Sequence, residues 1–294
     1  MDSSIFVWNC HGAASLKFRR VLKSLLWGYR PDLVVLVEPR ISGMTADKII
    51  KKMGYPFSHR IEARGFAGGI WMIWSDKIKV NVITNHRQFI HCEVRELLTD
   101  QVFLFTAIYG SPNPTAREKL WKDLLNLQIR PSGAWLIAGD FNATVEARER
   151  KGGARRLQQG CKYFKSFIDE VGLLDLGYVG PKFTWQCGGL LVRLDRVLSN
   201  EKWLEKNPST QVMHLPKVQS DHRPLLIKST ASKPQAQRPF RFLASWLLHP
   251  EFSTLVRKHW DTGRRLTECI ESFSLEAQQW NTQVFGEIGQ TKAT

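Results

Sequence analysis

Several features that would mark a secreted, membrane-embedded or zinc-bound protein are missing from this sequence. Its five cysteines are widely separated and form no C-x-x-C pair, which argues against a zinc or redox motif and favours free thiols. No apolar run reaches the roughly eighteen residues that a membrane span needs, so we expect no membrane partner. The N-terminal segment is acidic and its apolar run is short, so a secretory signal is not expected.

Acidic residues are also scarce relative to basic ones. The 294 residues include 42 Lys and Arg but only 27 Asp and Glu, which leaves a formal net charge of +15. A surface with this charge attracts polyanions and releases them as salt rises, so nucleic acid is the first partner to consider. The charge alone is explained equally well by basic residues that only keep the surface solvated.

The apolar content and the length predict one large folded domain with an appendage. Hydrophobic residues make up 43% of the chain and include 11 Trp and 16 Phe, more than a disordered chain contains. After position 228 the composition shifts towards Pro, Gln and small residues, which is typical of a linker. We therefore predict a main domain at 1–228, a linker at 229–240 and a helical C-terminal segment at 241–294.

The opening of the chain has the pattern of a β-α-β unit. IFVWN at 5–9 and LVVLVE at 33–38 are strand-like apolar runs. Between them, Phe18, Leu22 and Leu26 recur at helical spacing and place one apolar stripe on a helix.

The rest of the main domain also mixes strands and helices. Four strand-like segments follow one another without a helix, at 69–75, 79–84, 89–94 and 101–110. Their succession predicts mostly antiparallel pairing. Helical patterns and further short strands then alternate, with helices at 115–127 and 161–171 and strands at 135–142, 183–185, 194–198, 212–215 and 225–228. We predict an α/β fold with two mixed sheets packed together and helices on the outside.

Polar residues occur at the ends of several apolar strands, where a charged side chain is costly to bury unless a site needs it. They are Asn9, Glu38, Asp140, Asn142 and the pair Asp221 and His222. The ends of central strands converge on one crevice in layered α/β proteins, so we expect these side chains to meet. Hard oxygen ligands favour Mg²⁺, and a histidine with a carboxylate partner can manage protons, so the set suits hydrolysis of a phosphate ester.

Seven short motifs occur in the order and at the approximate intervals found in the endonuclease/exonuclease/phosphatase superfamily, which this chain resembles over about 220 residues. They are WNCHG at 8–12, LVEP at 36–39, IYG at 108–110, GDFN at 139–142, FTW at 183–185, RLDR at 193–196 and SDHRPL at 220–225. The resemblance implies a DNase I-like four-layer α/β sandwich.

Four further sequence segments resemble the endonuclease domain of plant non-LTR (LINE-type) retrotransposons. They are GGIWMIW at 68–74, GSPN at 110–113, GPKFTW at 180–185 and RPFRFLASWLLHPEF at 238–252. In such elements the endonuclease precedes a reverse transcriptase domain, which is a possible partner in a full-length element.

The superfamily resemblance implies a metal site. Glu38 corresponds to the principal metal ligand, Asn9 to a residue that supports the metal or the phosphate, and Asp221 to a residue in the metal site. The implied cofactor is Mg²⁺ or Mn²⁺, with no small-molecule cofactor.

The resemblance also implies the catalytic set. Asp140 would orient or deprotonate the attacking water, Asn142 would bind the scissile phosphate, and Tyr109 would donate to a phosphate oxygen. His222, paired with Asp195, would manage a proton or stabilise the phosphate. The motifs leave open whether Asp140 or the His222–Asp195 pair is the general base.

Four more residues are candidates for binding the substrate. Thr184 and Ser220 would line the site, and Arg193 comes from the RLDR motif. His11 stands where many family members carry a different polar residue, so it is either a phosphate contact or a neutral residue at the rim. The basic segments at 151–156 and 264–265 are candidates for contact with the phosphate backbone, with a solvated loop as the alternative.

These observations predict a metal-dependent endonuclease that nicks one DNA strand and leaves a 3′-hydroxyl. A nuclear location is expected from the substrate, since no import signal stands out. One alternative is a phosphoesterase that acts on inositol phosphates, lipids or RNA, because the same site hosts all of these reactions. The other is a catalytically inactive nucleic-acid-binding remnant.

Overall fold

The computed structural model describes residues 3–64, 68–127, 133–153, 160–229 and 250–259, together with 269, 270, 272–274, 276, 277 and 280. The chain divides into two compact units, Met1–Ser232 and Lys233–Thr294. Apart from Ser229, the predicted linker at 229–240 lies outside the described residues, so its bounds stay a prediction.

The first unit contains fifteen strands and five helices in its described part. In chain order these are β1 (Ser4–Asn9), α1 (Leu16–Tyr29), β2 (Leu33–Val37), α2 (Gly43–Lys51), β3 (Phe57–Ile61), β4 (Ile70–Trp74), β5 (Ile78–His86), β6 (Phe89–Glu96), β7 (Val102–Tyr109), α3 (Pro114–Leu125), β8 (Trp135–Asp140), a 3-10 turn (Ala147–Glu149), β9 (Arg150–Lys151), α4 (Lys162–Val171), β10 (Leu174–Asp175), β11 (Trp185–Cys187), β12 (Leu190–Val192), β13 (Asp195–Ser199), α5 (Glu201–Lys206), β14 (Gln211–His214) and β15 (Leu225–Lys228).

The predicted β-α-β opening is confirmed. Strands β1 and β2 pair in parallel, with Ile5 beside Leu33. The helix between them begins after Ser15, whose hydroxyl oxygen accepts a hydrogen bond from the Phe18 amide at 3.0 Å and so satisfies one free N–H of the first turn. It ends at Arg30, which adopts the left-handed conformation that commonly terminates helices.

Two six-stranded sheets and one small sheet make up the β structure of the described residues. The first sheet has the order β14-β15-β1-β2-β4-β3 and the second the order β10-β13-β8-β7-β6-β5. In each of them one pair of strands is parallel and the others are antiparallel, so both sheets are mixed. The small sheet has the order β11-β12-β9.

One element differs from the sequence prediction. The segment at 69–75 was expected to continue into the antiparallel run, but β4 lies in the first sheet between β2 and β3, while β5, β6 and β7 form the antiparallel run of the second. Met72 of β4 packs in the core between the sheets and Trp71 packs against the helices, and β7 of the second sheet has the same two-sided burial through Ala107 and Ile108. Period and propensity alone did not distinguish these two sheets.

The alternation of side chains along each strand builds a four-layer sandwich. On β1, Ile5 and Val7 face the core between the sheets, whereas Phe6 and Trp8 face the outer helices. Helices α1 and α2 cover the first sheet in this way, and α3 and α4 cover the second. The predicted α/β fold, with two mixed sheets face to face and helices outside, is confirmed as DNase I-like.

The described part of the second unit contains the helix α6 (Phe252–His259). Its Phe252 and Leu255 pack with Phe273, Ala277 and Trp280. This agrees with the helical pattern that the sequence predicts for the segment. Within the part of the chain that the structure describes, no helix is both long and apolar enough to cross a membrane.

Candidate active site

The alternation of side chains along the strands also places polar side chains at one end of the crevice between the sheets. On β1 the series Ile5, Val7 faces the inter-sheet core, and the next residue on that face is Asn9. On β8 the same series ends in Asp140, which is completely buried. Two residues per repeat is the period of a strand, so the last inward position of each strand becomes part of a site.

Neighbouring strands of the second sheet align three of these residues. Asp140 on β8 lies directly opposite Tyr109 on β7, and opposite Asp195 on β13. The register of the sheet therefore places a phenol and two carboxylates side by side, although they are far apart in the chain.

Asn9 links the two sheets at this end. Its Nδ2 donates to Glu38 Oε2 at 3.1 Å and to Asp140 Oδ2 at 2.8 Å. Glu38 follows β2, and its Oε1 accepts hydrogen bonds from the Arg40 guanidinium, one of them from Nε at 3.0 Å. The amide of Asn9 thus brings two acidic side chains from different sheets around one donor.

A histidine and a carboxylate lie beside this group. His222 Nδ1 hydrogen-bonds Asp195 Oδ2 at 2.8 Å, and His222 Nε2 lies 3.8 Å from Asp140 Oδ2. One ligand atom from each of these three residues lies within 4.8 Å of the other two. The Thr184 hydroxyl accepts from the Asp195 amide at 2.9 Å, so Thr184 holds the Asp195 backbone in place.

Asp221, the residue before His222, contacts two further rings. Its Oδ1 lies 2.8 Å from His11 Nδ1, and its Oδ2 accepts from Trp185 Nε1 at 2.8 Å. The Ser220 hydroxyl donates to the Asn9 carbonyl at 2.8 Å and therefore ties the end of β1 to this loop.

Asn142 is fixed in the loop after β8. Its amide N–H donates to Asp140 Oδ1 at 2.8 Å, and its Nδ2 donates to the Gly110 carbonyl at 2.9 Å and to Asp140 Oδ2 at 2.9 Å. A side chain at Gly110 would clash, since an added Cβ would lie 2.3 Å from the Phe141 carbonyl oxygen. The loops after β7 and β8 therefore touch, and that contact positions Asn142.

Strained backbone concentrates at this end of the sandwich. Four of the non-glycine residues with positive φ are His11 (48°), Glu38 (57°), Arg40 (56°) and Asn142 (48°). Such conformations are rare for side-chain-bearing residues and persist where the surrounding structure demands them, which is common at functional sites.

The buried carboxylates and the imidazole shift one another's protonation. Burial and the neighbouring Asp195 raise the pKa of Asp140, against the opposing effects of His222 and Asn9. Burial would lower the pKa of His222, but the carboxylates of Asp195 and Asp140 outweigh it and raise that pKa. Burial, together with the negative charges of Glu38 and Asp140, raises the pKa of Tyr109, which therefore stays a neutral hydrogen-bond donor.

The structure does not bring Arg193 to this site. Its guanidinium donates to Asp175 at 2.7 and 2.8 Å and to Glu149 at 3.3 Å, and the residue is 7% exposed. Both terminal nitrogens of the guanidinium are thus engaged by these carboxylates, so the expected contact of Arg193 with substrate is not supported by the geometry. Thr184 is likewise buried and is occupied with the backbone of the RLDR segment.

Two site residues escaped the sequence prediction. Arg40 contacts Glu38 directly, and the only available signal was a basic residue two positions after the expected ligand. Trp8 Nε1 donates to the His222 carbonyl at 3.2 Å, and nothing in an apolar strand indicates such a contact. Of the basic segments, Lys151 is exposed on β9, whereas 154–156 and 264–265 lie outside the described residues.

A divalent cation fits the chemistry of these side chains. Glu38, Asp140, Asp195 and Asp221 bring four carboxylates to one end of the crevice, and the guanidinium and imidazole side chains in contact with them are those of Arg40, His11 and His222. Carboxylate and amide oxygens are the ligands that Mg²⁺ and Mn²⁺ prefer. Glu38, which keeps a partly exposed side chain, and Asn9 are the residues best placed to hold such an ion.

A four-layer sandwich whose strand ends hold carboxylates, an amide, a phenol and a His–Asp pair defines the class of nucleases and phosphatases that hydrolyse phosphate esters. Residues 6–222 match the model of the Endonuclease/Exonuclease/phosphatase family. Because the match spans well over half of the chain, the protein belongs to this family.

Solved structures share the fold. The AP endonuclease LMAP from Leishmania major has a TM-score of 0.59 at 12% identity, covering 76% of this chain and 86% of that one. The endonuclease domain of TRAS1, a telomere-specific non-LTR retrotransposon, has a TM-score of 0.57 at 14% identity, covering 79% and 100%. An AP endonuclease from Archaeoglobus fulgidus has a TM-score of 0.57 at 13% identity, covering 76% and 98%. No curated protein sequence matches the chain.

Proposed function

We propose that the protein is a divalent-metal-dependent endonuclease that nicks one strand of DNA and leaves a 3′-hydroxyl. The observation that carries this proposal is the Asn9 amide, which joins Glu38 and Asp140 across the two sheets beside His222. This arrangement supplies a place for a cation, a place for a phosphate and a means of moving a proton, which together are what phosphodiester hydrolysis requires.

The metal, when bound, would supply positive charge that offsets the charge developing on the phosphate. Glu38 and Asn9 would hold it, with Asp221 in the same site. Asn142 and Tyr109 would donate hydrogen bonds to phosphate oxygens. The raised pKa keeps Tyr109 protonated, so it remains a donor through the neutral range.

Asp140 and His222 would share the proton work. Asp140 lies on the inter-sheet face with both oxygens hydrogen-bonded, and its pKa is raised by burial, so it can accept a proton near neutral pH. Asp195 orients His222 through Nδ1 and leaves Nε2 directed at Asp140. Because 3.8 Å is longer than a hydrogen bond, a proton would pass between the two residues through one water.

DNA is the favoured substrate because of the net charge of +15, which attracts a polyanion. The four retroelement-like segments favour an origin in a plant LINE-type element, and so does the fold shared with the TRAS1 endonuclease domain. In that setting the nick would prime a reverse transcriptase, and the site of action would be the nucleus.

A plasmid-nicking assay tests the proposal. Supercoiled plasmid is incubated with the purified protein and Mg²⁺ or Mn²⁺, and a parallel reaction contains EDTA. We expect open-circular product only with the metal, carrying ends that a polymerase extends without phosphatase treatment.

Three results would contradict it. Nicking that persists in EDTA would remove the metal dependence. Hydrolysis of inositol phosphates, lipid phosphates or RNA without plasmid nicking would favour the phosphoesterase alternative. Salt-sensitive DNA binding without cleavage under either metal would indicate an inactive binding remnant.

A further inference from the structure

The outer face of α1 carries cations and an aromatic ring that the proposed active site does not use. Leu16, Arg20, Lys23 and Trp27 follow one another at spacings of four, three and four residues, so they form one stripe along the helix. All four are exposed, with Leu16 at 65% and Trp27 at 74%. We call these residues the α1 stripe.

The α1 stripe lies away from the crevice that holds the candidate active site. The helix buries Phe18, Leu22 and Leu26 against the outer side of the first sheet, whereas Asn9 and Asp140 face the space between the sheets. The stripe is on the solvent side of this outer layer. A molecule bound there would not enter the crevice.

The charge of α1 has one sign. The helix contains Lys17, Arg19, Arg20 and Lys23 and no acidic residue, and the exposed Arg30 follows directly. A helix usually gains stability from acidic residues in its first turn, and α1 has none there. This one-sided charge is not needed for the helix itself, and it complements a polyanion.

Trp27 adds a flat apolar surface within this basic field. Its indole is mostly in water, with the Arg30 guanidinium 5.9 Å from the ring centroid. An exposed ring costs hydration free energy, and a nucleobase is a partner that covers such a ring by stacking.

We propose that the α1 stripe binds single-stranded nucleic acid, with Arg20 and Lys23 against the phosphates and Trp27 stacked on an unpaired base. Charge complementarity supports a nucleic acid, and the exposed ring selects the single-stranded form. In a duplex the bases already stack on one another and offer no free face to an indole. The surface requires neither a metal nor cleavage, so it stands apart from the proposed nicking activity.

Helix α4 provides a matched comparison. It also exposes two lysines and an aromatic ring, Lys162, Lys165 and Tyr163, with the Lys162 ammonium 5.0 Å from the ring centroid. However, Asp169 and Glu170 are exposed on the same helix and offset those charges. We therefore expect α4 to contribute little to nucleic-acid binding.

Fluorescence anisotropy with an end-labelled oligothymidine, measured in EDTA so that no cleavage occurs, tests the proposal. Trp27→Ala is expected to weaken binding about tenfold, as loss of one base-stacking contact predicts. Arg20→Gln/Lys23→Gln is expected to weaken it at least as much and to reduce the slope of log affinity against log salt by about 1.4. The matched α4 variants, Tyr163→Ala and Lys162→Gln/Lys165→Gln, should bind within about twofold of the unmodified protein.

A labelled duplex of the same length separates this surface from general electrostatic attraction. Trp27→Ala should leave duplex affinity unchanged, whereas the loss of two charges lowers it. Unaltered oligothymidine affinity in Trp27→Ala would overturn the proposal, and so would equal losses in the α1 and α4 variants. Circular dichroism of the same variants shows whether they are folded, and a parent protein that fails to nick plasmid would refute the nicking activity without touching this result.

Discussion

Two clusters of charged residues lie on opposite faces of β13, and they differ in their charge balance. Asp195 faces the space between the sheets and belongs to the candidate active site, whereas the next residue, Arg196, faces the other way, with its guanidinium 5.3 Å from the Phe164 ring centroid on α4. The alternation of the strand thus sends adjacent residues of one motif into two different environments.

The cluster on the helix side is balanced. Arg193 and Arg196 meet Glu149 and Asp175, with Arg196 donating to Glu149 at 2.7 and 3.0 Å and to Asp175 at 3.1 Å. Two positive charges therefore face two negative ones. This set, in which Asp175 keeps a partly exposed side chain, joins the 3-10 turn, β10 and β13, so its effect is to hold structure.

The cluster on the inter-sheet side is unbalanced. Four carboxylates share their surroundings with one guanidinium and with histidines, and Asp140 is driven towards its protonated form. Uncompensated buried charge is costly, so a protein keeps it where a cation or a reaction uses it. The charge balance of a cluster, more than its burial, therefore distinguishes the candidate active site from the structural cluster in this protein.

The largest expected effect is on activity in the unbalanced cluster. Glu38→Ala and His222→Ala should each lower plasmid nicking by about 10²–10⁴-fold or more, because one removes the expected ligand and the other a proton-managing group. Circular dichroism should be unchanged. Glu93→Ala and His59→Ala are controls outside the site, and near-normal nicking by either active-site variant would refute the assignment.

A substitution in the balanced cluster should instead lower the stability of the fold. Arg196→Ala removes the two hydrogen bonds that Arg196 donates to Glu149 and leaves Glu149 with the longer, 3.3 Å contact of Arg193, so we expect a loss of about 3–5 kcal/mol in the free energy of unfolding. Urea denaturation measures the change. Arg95→Ala, which breaks the exposed pair with Asp100, should have little effect, and equal losses in the two variants would remove the distinction.

Metal binding should stabilise the protein through the unbalanced cluster alone. Mn²⁺ at about a hundred times its dissociation constant should add about 2.7 kcal/mol to the free energy of unfolding. We expect this gain to disappear in Glu38→Ala and to persist in Glu149→Gln, measured against EDTA. A gain that survives in Glu38→Ala would place the ion elsewhere.

His214 is buried like His222, but its Nδ1 hydrogen-bonds a backbone carbonyl and not a carboxylate. Burial lowers the pKa of His214 to about 4, and its Nδ1 bonds the Pro181 carbonyl at 2.7 Å. Because the unfolded chain then binds more protons than the folded one between pH 6.5 and 4, stability falls as the pH is lowered through this window. Urea denaturation gives the free energy of unfolding at pH 7 and at pH 5. The decrease between these two pH values should be about 1–2 kcal/mol smaller in His214→Phe than in the unmodified protein. An undiminished difference would assign the acid sensitivity to other groups.

The smallest effect concerns Arg40. Its guanidinium contacts the carboxylate that we expect to hold the metal, and like charges repel, so Arg40→Met should bind Mn²⁺ about three- to tenfold more tightly. Isothermal titration calorimetry measures the affinity, with Arg87→Met as the control. Weaker binding in Arg40→Met would mean that Arg40 positions Glu38 for the ion.

Much of the fold was predictable because the apolar periods are strong. The β-α-β opening, α3, α4 and most strands of the two sheets lie where the patterns place them. The short strands β3, β9, β10 and β12 and the helices α2 and α5 were not predicted, since pairing partners and packing, more than local propensity, stabilise elements of this length.

The candidate site was predictable at the level of which residues gather. Asn9, Glu38, Asp140 and His222 do lie together, because each stands at or near the end of a strand whose pattern is readable. Asp195, which only the family resemblance indicated, joins them through His222. The roles of these residues in catalysis and metal binding remain predictions. The motif did not indicate that Arg193, which lies between β12 and β13, pairs with Asp175 and Glu149, because those partners are distant in the chain.

The order of residues alone determined which segments form most of the strands and helices and that polar residues stand at strand ends, because the periods of two and 3.6 residues are local properties of the backbone. Only the packed structure decided that β4 joins the first sheet, that Arg193 and Arg196 neutralise Glu149 and Asp175, and that Arg40 contacts Glu38. These outcomes depend on the register between strands and on the desolvation of charges in the interior, and neither quantity exists until distant segments meet.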